Sequence, residues 1–459
     1  MNWHADLQLE HDTTQLFHPQ FNLENNVSSL TDIMSLGRQT LFTKKLWQEQ
    51  HRPAKLINMP EENEAPSPPW MDKKLLELWL KPHHGEVSVT DVESNVATSK
   101  GDNYLSVIHR LVVHTKEGQS YSLLVKCRLE DGDAANIMRE SAIFKKEQEM
   151  YGVTLPKMSA LLKKALPDSF EPLAPRCYYA CKSFLVLEDM MTQGFRMCDR
   201  LQGLDLQQSL QAVRTVARFH ASSLALLEQD PGCMDEYAVS FFTEPCLLSA
   251  WDKCFTGMAK TLREELETWP QEEWGEYVQK MRQVEQNVMQ RLGKTVARNE
   301  KGPNVLVHGD FWINNIIFDD ANRVRLLDFQ LVNYTSPVLD LHLFLCTSAN
   351  FDVRVHHTDT LLQEYHRVLC STLTALEYSK PLMTLQEVHE EFDRKSSHGV
   401  WAMIGPAACM LTEPDNGFDL DKALMTGEIP GPSMYNDYYR TVLKWMLPVL
   451  DKKGAFNNP

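Results

Sequence analysis

The stretch VLVHGDFWINNIIFDDANRVRLLDFQ (residues 305–330) has an apolar run at each end and a polar centre. This pattern predicts two short buried strands joined by a polar loop. Asp310 follows the first apolar run, and Asn315 comes five residues later. Asp328 comes 18 residues after Asp310, directly after the second apolar run. If the two strands pair, these three polar side chains come together at one end of the pair.

The three side chains are all oxygen donors, two carboxylates and one carboxamide. Mg²⁺ prefers oxygen ligands in proteins and keeps several of its waters. We therefore expect Asn315 and Asp328 to hold Mg²⁺ and Asp310 to accept the proton of a substrate hydroxyl, which are the roles that phosphoryl transfer requires. Any one of them alone is more typical of a loop residue that caps a strand end. Their occurrence together favours the catalytic interpretation.

Upstream of this segment, the sequence predicts a β-hairpin that ends in a candidate phosphate-binding lysine. YLSVIHRLVVHT (104–115) and QSYSLLVKC (119–127) are two β-prone runs around a short turn that contains glycine. Lys126 follows an apolar run in the second strand, so it can reach the α- and β-phosphates of a nucleotide. The alternative is a solvated lysine of an edge strand. A lysine in the phosphate site needs an acidic partner to stay oriented.

The helix predicted after this hairpin supplies that partner. Glu147 is the preferred candidate because it lies three residues from Phe144 and four from Tyr151, beside the apolar face that must pack on the sheet. Glu149 is the competing candidate. We expect this helix to break at VTLP (153–156).

The rest of the chain predicts two more strands and then a long helical part. The strands are expected at RCYYA (176–180) and SFLVLED (183–189), and the helices near 206–229, 258–292 and 355–378. The outline is an α+β, two-lobed, protein-kinase-like fold with a small β-rich N-lobe and a larger helical C-lobe. The cleft between two such lobes is a natural ligand site.

Composition excludes several classes of protein. The 459 residues are 43% hydrophobic and 24% charged, which is typical of a globular chain and not of a collagen, a coiled coil or a disordered protein. A formal net charge of −16 argues against a nucleic-acid-binding protein. No secretory signal and no membrane span are evident. The ten cysteines contain no C-x-x-C pair, so we expect reduced thiols and a cytoplasmic protein.

The N-terminal part differs from the remainder. Residues 1–66 are polar and end in the proline- and glutamate-rich PEENEAPSPPW (60–70), which predicts an extension and linker that is partly disordered. We expect the nucleotide-binding N-lobe over 67–189 and the C-lobe, with the catalytic loop and the acceptor pocket, over 190–459. Composition leaves the oligomeric state open.

The motifs resemble those of kinase-like phosphotransferases that act on small molecules, such as aminoglycoside phosphotransferases and choline kinases, and most closely the insect ecdysteroid kinase-like family. VLVHGDFWINNIIF (305–318) with LLDFQLVNYTSPVLDLHLF (326–344) is similar to that family's signature. GDNYLS (101–106), LVLEDM (185–190) and ARFHASS (217–223) support the resemblance, which covers roughly residues 70–450.

The resemblance implies a fold, two cofactors and a role for each motif residue. It implies a protein-kinase-like fold, ATP and Mg²⁺ as cofactors, and transfer of the γ-phosphoryl group to a small-molecule hydroxyl. The matching positions are Asp310 as catalytic base, Asn315 and Asp328 as metal ligands, Lys126 as the phosphate-binding lysine, Glu147 as its ion-pair partner, and Glu188 and Met190 as the hinge that binds adenine through its backbone.

Two further places belong to the expected site. Gly101 and Asn103 lie in a single-glycine turn rather than G-x-G-x-x-G, and its backbone amides are expected to cover phosphates; an ordinary turn is the alternative. His308 belongs to the catalytic loop and is expected to fix it by hydrogen bonding rather than to act as a base. Asp340 is expected to order the same loop, and His220 to pack on a helix face.

The sequence departs from protein kinases in three ways. The loop is HGD rather than HRD, Phe329 precedes Gln330 rather than glycine, and only 12 residues separate Asp328 from Asp340. A segment this short leaves no room for a long regulatory activation loop, which favours a small-molecule acceptor. By resemblance, that acceptor is a steroid-type alcohol such as an ecdysteroid, or a hydroxylated xenobiotic. The alternatives are a pseudokinase-like ligand-binding protein and a protein kinase.

Overall fold

The computed structural model describes residues 68–97, 106–128, 135–136, 139–300, 302–413 and 415–457. The predicted extension of residues 1–66 lies outside these residues, and so does the predicted turn at Gly101 and Asn103. Within the described chain, a β-rich part comes first and a helical part follows.

A five-stranded antiparallel sheet forms the β-rich part. In chain order its strands are β1 (Val89–Val96), β2 (Ser106–Thr115), β3 (Ser120–Arg128), β4 (Cys177–Ala180) and β5 (Phe184–Glu188), and their order in the sheet is β1-β2-β3-β5-β4. The predicted hairpin is β2 and β3, and its turn holds Gly118 at a φ of 79°, where residues with a side chain are rare. The two other predicted strands are β4 and β5.

The alternation of side chains along β3 sends Lys126 to the inner face of this sheet. Leu123 and Val125 pack on one face against helix α1 (Lys73–His84), which sequence analysis did not predict. Leu124 and Lys126 point to the opposite face, where Leu124 joins the core of the helical part. Lys126 lies opposite Ile108 of β2 and Leu185 of β5, near the centre of the sheet.

The helix that carries Glu147 does not break where the sequence indicated. Helix α2 (Ile143–Glu149) continues through a π-helical turn, Met150–Thr154, into helix α3 (Leu155–Ala165). The predicted break at 153–156 was wrong, because the helix continues through Pro156, which lies in the first turn of α3 directly after the π-helical turn. The π-helical turn accommodates the change without ending the helix.

The remainder of the described chain is mostly helical. Its helices are α4 (Leu206–Gln229), α5 (Leu248–Glu267), α6 (Gln271–Glu285), α7 (Val288–Val296), α8 (Val338–Thr347), α9 (Phe351–His356), α10 (Thr358–Ala375), α11 (Leu385–Arg394), α12 (Ser397–Ile404), α13 (Pro406–Met410), α14 (Leu420–Thr426) and α15 (Asp437–Lys452). The helix predicted over 206–229 is confirmed residue for residue. The stretch 258–292 is three helices, α5 to α7, and 355–378 is the end of α9 plus α10.

Two small sheets interrupt the helices and carry the catalytic segment. Strands β6 (Arg196–Met197), β8 (Ile316–Phe318) and β9 (Val324–Leu326) form one, and β7 (Val305–Val307) with β10 (Asn333–Thr335) forms the other. The predicted α+β fold, with a small β-rich N-lobe and a larger helical C-lobe, is confirmed. Among the described helices, none combines the length and the apolar character that a membrane span requires.

Candidate active site

The paired strands β8 and β9 bring Asn315 and Asp328 to the same end of a hairpin. Ile316 pairs with Leu326, and the N–H of Leu327 donates to the carbonyl of Asn315 at 2.9 Å. Asn315 therefore precedes one strand at the place where Asp328 follows the other. The sequence predicted instead that the apolar runs at the two ends of 305–330 pair with each other; this was wrong, because the first run, β7, pairs with β10, and the second, β9, pairs with β8.

Asp310 is hydrogen-bonded to the same asparagine. The Asn315 side-chain Nδ2 donates to Asp310 Oδ2 at 2.8 Å and to the Asp310 carbonyl at 2.9 Å. These two bonds fix the orientation of the amide, so that its oxygen, Oδ1, points away from Asp310. Burial and the nearby negative charge of Asp328 raise the pKa of Asp310 to about 7. Near neutral pH, the Asp310 carboxyl group is therefore present in both its protonated and its deprotonated form.

Asp340 holds the backbone of the predicted catalytic loop through two hydrogen bonds. This buried carboxylate accepts from the N–H of His308 at 2.7 Å and from the N–H of Gly309 at 2.9 Å. His220 on α4 contacts the same carboxylate at 3.0 Å. Gly309 has a φ of 78°, and a Cβ there would lie 2.1 Å from the carbonyl oxygen of Leu331. A side chain at this position is therefore excluded by both strain and space.

His308 occupies the loop as a neutral, hydrogen-bonded imidazole. Its Nδ1 accepts from the N–H of Asp310 at 3.3 Å, so its Nε2 carries the proton and donates to the carbonyl of Leu327 at 2.9 Å. Burial lowers the pKa of His308, against the opposing effect of Asp340 and Asp328. Both ring nitrogens are occupied, which fits a residue that joins the two halves of the segment rather than a proton acceptor.

Lys126 joins the two lobes through a three-membered charge cluster. Its Nζ lies 2.8 Å from Glu147 Oε1 and 2.8 Å from Asp328 Oδ1. Burial alone would lower the pKa of Lys126, but Asp328 and Glu147 outweigh that effect and raise it. Burial raises the pKa of Glu147 to about 7, against the effect of Lys126. Lys126 and Glu147 are buried, whereas 24% of the Asp328 side chain remains exposed and available to a ligand.

The backbone at Asp328 is strained. Its φ is 60°, in the left-handed region that aspartate tolerates better than most residues. The following Phe329 is fully buried, with its ring 4.8 Å from His308 and 5.4 Å from Tyr151. Gln330, which stands where protein kinases have glycine, is buried and interacts with Glu147. The packing of these two residues holds the Asp328 carboxylate toward Lys126.

Glu188 and Met190, the residues expected to form the hinge, lie at the end of β5 and at the start of the turn that follows it. The buried residue between them, Asp189, accepts from Arg110 Nε at 2.7 Å and from Ser122 Oγ at 2.7 Å. The sequence did not indicate a role for this carboxylate, because its partners lie 67 and 79 residues away.

Six of the predicted site residues surround one place between the lobes. Lys126, Glu147 and Asp328 contact one another, Asp310 contacts Asn315, and His308 connects the two groups through its bonds to Asp310 and Leu327. Glu147 rather than Glu149 is the partner of Lys126. Gly101 and Asn103 lie outside the described residues.

Several solved structures have low similarity to this chain. The ADP- and spectinomycin-bound spectinomycin phosphotransferase has 9% identity and a TM-score of 0.39, with 84% of this chain and 98% of that chain covered. Plasmodium vivax ethanolamine kinase has 11% identity and a TM-score of 0.36, with 76% and 83% covered. Choline kinase LicA from Streptococcus pneumoniae has 12% identity and a TM-score of 0.33, with 83% and 98% covered. No curated protein shows a significant sequence match.

The family itself is shown by a match of sequence. The ecdysteroid kinase-like family profile matches residues 100–378, which is more than half of the chain and a narrower span than the 70–450 expected from the motifs. The matched span includes β2, β3, α2, the hinge and the whole catalytic segment. The chain belongs to the ecdysteroid kinase-like family.

Proposed function

We propose that this protein is an ATP- and Mg²⁺-dependent kinase that transfers the γ-phosphoryl group to a hydroxyl of a steroid-type or xenobiotic alcohol. The observation that carries the proposal is the Lys126 cluster, in which one buried ammonium lies 2.8 Å from each of two carboxylates. Glu147 keeps the lysine oriented from the side of the sheet. A nucleotide phosphate would share Lys126 with Asp328, which is partly exposed.

The residues present fit a magnesium ion. Asn315 donates both of its amide hydrogens to Asp310, which leaves its oxygen to face a cation, and Asp328 supplies a carboxylate at the same hairpin end. In the described part of the chain, no three His, Cys, Asp or Glu side chains are grouped closely enough to hold a metal by themselves. Phosphate oxygens would therefore complete the coordination, and the bound ion would neutralise charge that develops on the phosphoryl group.

The hinge offers adenine one acceptor and one donor. The Glu188 N–H already donates to the Arg176 carbonyl at 2.9 Å, and the Arg176 backbone N–H donates to the Glu188 side-chain carboxylate at 3.3 Å. We propose that the Glu188 carbonyl accepts from the adenine amino group. The Met190 carbonyl accepts from the N–H of Phe195 at 3.2 Å, and we assign the Met190 N–H as the donor to the ring.

Asp310 is the proposed base for the acceptor hydroxyl. Asp310 accepts a hydrogen bond from Asn315 and has a pKa near the range at which a general base works best. His308 and Asp340 are proposed to position it through the backbone. Protonation of Asp310 would accompany attack of the hydroxyl oxygen on the γ-phosphorus, with ADP as the leaving group.

The acceptor class follows from the short downstream segment and from the family. Most of the segment between Asp328 and Asp340 belongs to strand β10 or the first turn of α8, so it contains no long loop on which a peptide could dock. Membership of the ecdysteroid kinase-like family supports a steroid-type alcohol, with a hydroxylated xenobiotic as the second candidate. A nucleotide-binding protein without transfer activity and a protein kinase are the competing functions.

An acceptor panel distinguishes these functions. The full-length protein is incubated with Mg·ATP and a set of hydroxylated steroids, hydroxylated xenobiotics and peptides, and products are identified by mass spectrometry. We expect a phosphomonoester of a small alcohol. Phosphopeptides without a small-molecule product would indicate a protein kinase, and ATP binding without any product would indicate the non-catalytic function.

A further inference from the structure

Two neighbouring residues of α2 hold this helix from opposite sides. Glu147 reaches Lys126 on the sheet, as described above. Lys146 points the other way, and its Nζ donates to the backbone carbonyl of Val239 at 2.6 Å. Successive helical side chains diverge by about 100°, so a single turn of α2 contacts the N-lobe sheet and the C-lobe at once.

The C-lobe contact belongs to residues 235–244, which we name the clamp segment; it follows α4. Lys146 is 2% exposed against this segment. Burial lowers the pKa of Lys146, against the opposing effect of Glu244 and Glu236, both of which lie in the clamp segment. A buried ammonium is costly unless it is bonded, so the carbonyl of Val239 is a specific partner of Lys146.

The clamp segment also contacts the residue before α2 and the π-helical turn after it. At the start, Glu244 Oε1 accepts from the N–H of Ala142, the residue before α2, at 2.6 Å. In the π-helical turn, Thr154 Oγ1 is 2.8 Å from the hydroxyl of Tyr237, and both side chains are buried. A carboxylate at a helix start and a buried hydroxyl pair are both favourable contacts. The clamp segment therefore contacts the residue before α2, α2 itself and the π-helical turn that follows it.

Apolar packing reinforces these polar contacts. Ile143, the first residue of α2, belongs to the C-lobe core cluster that contains Phe241 and Phe242 of the clamp segment. The next residue, Phe144, packs into the other C-lobe cluster with Phe329. The helix that carries Glu147 is consequently embedded in the C-lobe, although its functional contact is with the N-lobe sheet.

We propose that the clamp segment, through Lys146, is the positioning element that keeps Glu147 against Lys126 before any nucleotide binds. The Lys–Glu pair must be in place for phosphoryl transfer in kinase-like enzymes, and the placement of the glutamate helix controls it. Here the placement is built into the fold, so the phosphate site is assembled in the free protein. The part of this inference that concerns nucleotide affinity rests on the proposed function; the part that concerns the helix does not.

The test is Lys146→Met, with Lys145→Met as the matched control. Methionine fills similar volume but cannot donate to Val239, and removal of a buried charge should leave the melting temperature near that of the unchanged protein. Lys145 forms an exposed pair with Glu236 at 2.5 Å, so its replacement removes a clamp contact of little energetic weight. Two readouts are taken: hydrogen exchange over residues 143–154 without nucleotide, and calorimetric affinity for Mg·ATP.

For Lys146→Met we expect amide exchange over residues 143–154 to accelerate by about tenfold or more, and Mg·ATP affinity to fall by about tenfold, since a charge-assisted hydrogen bond is lost. Turnover at saturating ATP should stay within about twofold, because ATP restores the helix. Lys145→Met should change neither readout. Unchanged exchange in Lys146→Met would overturn the proposal.

A second variant keeps the proposal testable if Lys146→Met does not fold. Tyr237→Phe removes only the hydroxyl that meets Thr154 and should accelerate exchange in the π-helical turn. Equal exchange in Tyr237→Phe and the unchanged protein would then contradict the clamp. If the unchanged protein binds no ATP, the proposed function fails, while the exchange comparison still decides the clamp.

Discussion

Replacement of Asp310 by asparagine separates catalysis from nucleotide binding. Asparagine keeps the shape of the side chain and can still accept from Asn315 Nδ2, the bond seen at 2.8 Å. It cannot accept the proton of an acceptor hydroxyl. Asp310 lies outside the ion pairs of Lys126 with Glu147 and Asp328, so the groups proposed to bind the phosphates and the metal remain in place.

The magnitude follows from the loss of one positioned base. Such a group typically contributes about 10²–10⁴-fold to the rate, or roughly 3–5 kcal/mol at about 1.4 kcal/mol per decade. We expect kcat of Asp310→Asn to fall by about that factor. The dissociation constant for Mg·ATP should change by less than about threefold, because no ground-state contact to the nucleotide is removed. The assay pairs steady-state kinetics on an identified acceptor with calorimetry of Mg·ATP binding.

Asp328→Asn is the control for this assignment. It removes the charge that pairs with Lys126 at 2.8 Å and weakens a proposed metal ligand, so Mg·ATP binding and turnover should both decline. Equal loss of nucleotide binding in Asp310→Asn and Asp328→Asn would refute the separation of roles. Near-normal turnover in Asp310→Asn would show that Asp310 is not the base.

Three further outcomes are expected. Removal of divalent cations with EDTA should weaken ATP binding, because the Asp328 carboxylate then repels the phosphates, and equal affinity with and without EDTA in calorimetry would count against the metal site. Gly309→Ala should lose activity and about 1–3 kcal/mol of stability in denaturant titrations, since its backbone is left-handed and Leu331 leaves no space; an unchanged midpoint would argue otherwise. Burial lowers the pKa of His342 to about 4, and its Nε2 lies 2.7 Å from the Phe392 carbonyl. As the pH falls, the unfolded chain therefore binds a proton at this histidine before the folded chain does. The free energy of unfolding should fall by up to about 3 kcal/mol between pH of about 6.5 and 4. His342→Gln should flatten that dependence in urea titrations, and an unaltered slope would exclude His342 as its source.

The catalytic segment was predictable because its information is local. The apolar runs before Asp310 and Asp328 predicted the strands β7 and β9, but these two strands do not pair; the local hairpin of β8 and β9 brings Asn315 and Asp328 together. The start of α4 was also predictable from nearby residues, because Asp205 and Gln208 form a capping box there. For the β8–β9 hairpin and for the start of α4, the residues that determine the structure lie close to it in the sequence.

What the sequence did not reveal depends on contacts between distant residues. Asp189 is buried because Arg110 and Ser122 reach it from other strands, and nothing in LVLEDM indicates those partners. Lys146 meets a backbone carbonyl 93 residues away, and a carbonyl carries no sequence signal. The π-helical turn at 150–154 was missed because its helix continues through a proline that ordinarily predicts an end.

Phosphorus NMR of a single reaction tests the central claim most directly. The full-length protein, Mg·ATP and the acceptor identified from the panel are followed over time, with Asp310→Asn in parallel. We expect ADP and one new phosphomonoester to rise together at equal rates, and Asp310→Asn to slow both. ADP accompanied only by inorganic phosphate, or an ATP signal that shifts on binding but never declines, would contradict it.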